Sequence, residues 1–141
     1  MKNYVLKEIY IVDGYERHVA IEEINSGNRH IVHFLECDEY LEDNEQTKKR
    51  KIGDVLKGNI FIDLVCDEER TDRKIMHWHP MPRSSDIEAV VEVFQVIDDY
   101  SIYAFSSISD EKILVEFEHK VSYQKGDIIF VGGSLELEME E

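Results

Sequence analysis

Six histidines and a surplus of acid are the residues of this chain that could do chemistry. His77-Trp78-His79 is the most metal-like pair. Alternate residues of an extended segment point the same way, so both imidazoles could approach one ion, with Asp72 or Cys66 as a third ligand. Two histidines do not make a site, and Pro80 immediately after them favours an exposed turn, so no metal is expected. His30 and His33 are three apart and cannot share one face of a strand. Adjacent carboxylates such as Glu22-Glu23, Asp98-Asp99 and Glu140-Glu141 point to opposite faces if extended, and in so acidic a chain they arise by chance. Ser84, Ser85, Ser106 and Ser107 lack the spacing of a nucleophile with its base, and no glycine-rich phosphate loop is present. The expectation is a protein without enzymatic activity and without a cofactor.

Charge is more informative. The chain has 31 acidic and 16 basic residues in 141, a formal net charge of −15. Residues 87–141 hold 13 acidic and 3 basic side chains, against 18 and 13 in residues 1–86. Such a surface repels phosphate backbones and attracts basic partners. The one basic cluster, Lys48-Lys49-Arg50-Lys51, follows the acidic run that begins at Glu36 and reads as its solvated counterweight. Neither cysteine, Cys37 or Cys66, lies in a CxxC pair, and both read as reduced structural thiols. No apolar stretch approaches the roughly 20 residues that span a bilayer. The N-terminus does not read as a signal peptide, so the cytoplasm is the expected compartment.

The elements that must position these groups come in two similar sets. Val12-Asp13-Gly14-Tyr15 answers to Ile97-Asp98-Asp99-Tyr100, and His18-Val19-Ala20-Ile21 to Ile102-Tyr103-Ala104-Phe105. His30 to Phe34 answers to Lys112 to Phe117, and Ile52-Gly53-Asp54-Val55 to Lys125-Gly126-Asp127-Ile128. Order and spacing both hold, a duplication signal. Each set reads as about four strands, dense in β-branched and aromatic residues. Leu135, Leu137 and Met139 alternate with Glu136, Glu138 and Glu140; Ile60, Ile62 and Leu64 occupy matching positions, with Asp63 facing away. Asp13-Gly14 and Asp98-Asp99 read as hairpin turns that use positive φ. Gly58 and Gly132-Gly133, inside strand patterns, mark a bulge or sharp bend. The fold expected is all-β: a small antiparallel barrel or sandwich, one domain over 1–141, with strand sets 1–66 and 87–141 joined by 67–86. Residues 36–51 interrupt the pattern as a loop, or as a short helix in which Glu42 and Glu45 face Lys49.

The segment from Ile87 onward, ending Tyr123-Gln124-Lys125-Gly126-Asp127-Ile128-Ile129-Phe130-Val131-Gly132-Gly133-Ser134-Leu135, resembles the second half of an OB-fold. The resemblance covers about a third of the chain and implies a barrel. OB-folds often bind single-stranded nucleic acid through a basic groove with exposed aromatics, but here the second half has only Lys112, Lys120 and Lys125 as cations.

Two function classes follow. In the first, a compact acidic domain docks on and blocks a basic protein, the physical type of immunity proteins that neutralise nuclease-like toxins. Its expected contacts are the loop-tip residues Asp98, Asp99, Tyr100, Asp110 and Glu111, with Tyr103 and Tyr123 as further exposed anchors. In the second, the less acidic first half binds nucleic acid or a small ligand through Lys48 to Lys51, Arg70, Arg73 and Trp78.

Overall fold

The computed structural model describes residues 1–36 and 50–140, so the possible helix with Glu42, Glu45 and Lys49, the thiol of Cys37 and half of the basic cluster (Lys48 and Lys49) lie outside the described residues. Within them the chain is all-β: β1 (Lys2–Asp13), β2 (Glu16–Glu23), β3 (Arg29–Leu35), β4 (Val55–Arg70), β5 (Met76–Trp78), β6 (Asp86–Asp98), β7 (Ser101–Phe105), β8 (Ile113–Phe117) and β9 (Ile128–Met139).

The strands pair into one mixed sheet whose order, β1-β2-β3-β9-β4-β8-β7-β6-β5, is closed on itself by β1–β4 and β6–β9. Two five-membered circuits result. The first runs β1-β2-β3-β9-β4 and returns to β1; the second runs β6-β7-β8-β4-β9 and returns to β6. Each is a barrel-like ring of five strands, one more than the roughly four that each half suggested, because β4 and β9 serve both. Antiparallel pairing holds everywhere except β3–β9 and β4–β8, which are parallel. In each ring one strand comes from the other half. Val55 to Gly58 of β4 pair with β1, whereas its farther part reaches β8 beside Val65. β9 pairs with β6 over Ile128–Ser134 and touches β3 at Glu136.

Fine details recur between the two sets of strands. β1 carries register shifts at Leu6/Glu8 and Ile9/Ile11, and β6 carries them at Val93/Gln95 and Val96/Asp98. Gly53 N–H donates to Leu6 O (2.8 Å) and Leu6 N–H to Asp54 O (2.9 Å); Gly126 and Asp127 bond Val93 in the same way, at 2.8 and 2.9 Å. Both turns need glycine because φ is +95° and +94°. In each, the aspartate carboxylate accepts the N–H three residues back, from Lys51 and from Gln124.

One buried cluster fills both rings, from Tyr4, Leu6 and Ile21 through Ile62 and Val65 to Val91, Ile102, Val115 and Leu135. Burying each of these side chains contributes about 1.5–3 kcal/mol. Ile60, Ile62, Leu135 and Leu137 point inward as the alternation requires, and Met139 packs against the cluster.

Leu64 departs from that pattern. It has φ +57° and is 54% exposed, because Leu64, Val65 and Cys66 bulge out opposite Gly133. The bulge reverses the facing of β4, putting Val65 in the core and leaving Cys66 exposed rather than packed as a small hydrophobe. Gly133 sits opposite the bulge, not within one. At the second hairpin, Asp98 and Asp99 do not take positive φ; the Asp98 carboxylate holds the turn by accepting Tyr100 N–H and the Ser101 hydroxyl, each at 2.8 Å.

Candidate partner-binding face

Because Ile60, Ile62, Ile113, Val115 and Phe117 fill the core, the residues between them face outward. Register then sets them side by side. Asn59 lies opposite Glu138, Phe61 opposite Glu136 and Asp63 opposite Ser134. Across β4, the Ile62–Val115 pairing brings Phe61 and Asp63 alongside Leu114 and Glu116. Tyr103 of β7 is paired with Leu114, and Ser101 with Glu116. The outcome is a band over β9, β4, β8 and β7 with an apolar floor of Phe61, Leu114 and Tyr103. A groove of about 240 Å³ opens there, lined also by Glu111, Lys112, Glu138 and Lys2.

The electrostatics are one-sided. Burial, then the neighbouring charges of Asp63, Asp98 and Glu138, push the Glu116 carboxyl above its ordinary range. Among the described residues, Asp63, Glu116 and Glu138 have no cationic partner within ion-pair distance. Glu136 is raised by burial, against the opposing pull of His33, whose Nδ1 lies 2.9 Å from the carboxylate. At the rim, Lys2 Nζ is 2.6 Å from Asp110 and 2.9 Å from Glu23. Those contacts push the ammonium up, the Asp110 bond foremost, and hold Asp110 down.

The expected contact residues divide into two groups. Tyr103 and Glu111 line the groove, with Asp110 at its rim. Asp98, Asp99 and Tyr100 form the β6–β7 turn at the other end of β7, about 17 Å away for five extended residues. Tyr100 is exposed there, and Asp99 O accepts Val121 N–H. Tyr123 is not an exposed anchor. It is 8% exposed, its hydroxyl donates to Glu68, and Arg70 stacks 5.0 Å from its ring centroid.

Phe61, Asp63, Leu114, Glu116 and Glu138 went unselected, although the outward facing of Asp63 and Glu138 was already readable from alternation. Of the residues expected in a nucleic-acid or ligand site, Arg70 is spent on Tyr123 and Asp127, and Arg73 stacks 5.4 Å from Trp78.

His77 and His79 each have a protein partner. His77 Nδ1 is 2.6 Å from the Ser107 hydroxyl, and His79 Nδ1 is 2.8 Å from Asp86 O. No group of three ligating side chains suited to a metal occurs among the described residues, so Asp72 and Cys66 do not join them. No helix among these residues is long and apolar enough to cross a membrane.

No protein family, curated protein or solved structure matches this chain.

Proposed function

We propose that this protein is a non-enzymatic binding partner that docks on and blocks a basic protein, of the immunity or inhibitor type, through the face over β9, β4, β8 and β7. The observation that carries the reading is the trio Asp63, Glu116 and Glu138. They are carboxylates crowded enough to raise Glu116, without a cation of their own among the described residues, around an apolar floor. A free protein keeps such repulsion only at a cost in stability, and a partner's lysines or arginines relieve it on binding. Phe61, Leu114 and Tyr103 supply the apolar centre that an interface needs beneath its charges.

The test is capture from host lysate, with nuclease treatment in a parallel sample. The expected result is a basic protein retained after nuclease, and lost when Glu116→Lys and Glu138→Lys are combined. Nucleic acid recovered instead, with no protein surviving the treatment, overturns the reading. Asp98→Lys is a poorer probe, because Asp98 also holds the β6–β7 turn.

A further inference from the structure

The β6–β7 hairpin runs on past its ring with one side bare. β9 accompanies β6 from Asp86 to Glu92, and the turn at Gly126-Asp127 closes that ladder at Val93. Farther along, from Gln95 to Asp98, β6 pairs only with β7, and no described strand lies along its other edge. A run of unpaired backbone N–H and C=O groups is a template for another strand. No proline or charge interrupts Phe94-Gln95-Val96-Ile97, and Val96 and Ile97 are 44% and 43% exposed. A cleft of about 430 Å³ opens beside them, lined by Phe94, Gln95, Val96 and Lys125.

Charge then selects the occupant. Two of the three lysines of residues 87–141 converge on the Phe94 ring, Lys112 Nζ at 4.1 Å from its centroid and Lys125 Nζ at 5.3 Å. Phe105 closes the cluster edge-on, with 5.1 Å between ring centroids. Among the described residues neither lysine has a carboxylate within ion-pair distance, despite the acid of this half. At the far end of the same edge stands Asp98. Its bonds from Tyr100 N–H and the Ser101 hydroxyl hold the carboxyl below its ordinary range, so it is ionised at neutral pH. Cations at residue 94 and an acid at residue 98 flank Val96 symmetrically, which makes the edge complementary to itself when antiparallel.

We propose that two copies of this chain pair edge to edge through residues 94–98 of β6, antiparallel about a two-fold axis at Val96. Val96 then faces the partner's Val96, and Phe94 with its two lysines faces the partner's Asp98. The contact is closed, so assembly stops at two. A net charge of −15 on each copy opposes the encounter, and salt screens that long-range repulsion beyond about 8–10 Å while the close pairs persist. Association should therefore strengthen from low to moderate salt, the reverse of capture of a basic partner. Nothing in this contact depends on the docking function proposed above.

The experiment is sedimentation velocity on the full chain alone, in moderate salt, from about 5 to 500 μM. The expected dissociation constant is about 10–100 μM, in keeping with a small interface. Amide exchange at residues 94–98 should slow with concentration in step with the dimer. Val96→Lys and Val96→Glu, at an exposed position, should each weaken the dimer about tenfold or more, because like charges meet on the axis. Mixed one to one, the two variants should regain it, since opposite charges then meet. A chain that stays monomeric at the highest concentration overturns the proposal, as do assemblies that grow past two. So does slowing at residues 8–12 of β1, the matching bare edge, in place of 94–98. A mixture that stays monomeric puts another residue on the axis and overturns the register. Should the Val96 variants fail to fold, the exchange pattern of the parent chain decides. The docking face is untouched by any of these results, because no basic protein takes part.

Discussion

At the scale of the residue, two groups carry free energy that pH can release, with opposite signs. His30 has a folded value near 4, below the ordinary 6.5, so the unfolded chain takes up its proton first. Its contribution is complete above about pH 6.5 and is lost progressively down to about pH 4, to a total of about 3 kcal/mol. Urea unfolding of His30→Phe against the parent should therefore show a difference that changes across this window and is flat above it. Glu116 behaves inversely. Its folded value is raised, so ionisation at neutral pH disfavours the fold and protonation in acid relieves it. Glu116→Gln should stabilise the protein by a few tenths of a kcal/mol near pH 7, with the gain vanishing as pH falls through the carboxylate range.

At the scale of the element, the turns and the alternation could be read directly, because their causes are local. Gly53-Asp54 and Gly126-Asp127 need one left-handed glycine and one capping carboxylate, both written within four residues. The facing of Leu64 could not be read, since the bulge exists to fit β9, whose approach is set across the molecule. Gly133 marks that approach: a Cβ there would lie 2.5 Å from Asp63 O and 2.9 Å from Val65 Cγ2, whereas at Gly132 the nearest atom is 3.6 Å away. Gly133→Ala should cost about 1–3 kcal/mol in thermal or urea unfolding, and Gly132→Ala much less. For the proposed docking face, sequence supplied Tyr103, Asp110 and Glu111 from their loop and strand positions. Phe61 came to lie beside Leu114 and Glu116 only through a parallel pairing between the halves, and no local pattern encodes that register.

At the scale of the whole molecule, the exchange of strands between the halves had no signal in the sequence. Each half supplies four strands of its own ring, and β4 and β9 also run on to complete the other. Neither half has a core it can close alone, although both contribute to one buried cluster. Residues 1–70 and 71–141 made separately should each fail to give a cooperative thermal transition, and mixing them should restore it, as followed by circular dichroism and gel filtration. High salt should raise the stability of the intact chain, since a net charge of −15 repels itself.

The same exchange bears on descent. A short gene encoding one such half would make a chain with an unpaired strand edge, and two copies of that chain could close each other by trading their last strands around a two-fold axis. Joining two such genes in tandem would turn the pair into one polypeptide without breaking a single strand pairing. It would also let the halves diverge independently, and residues 87–141 now hold 3 basic side chains where residues 1–86 hold 13.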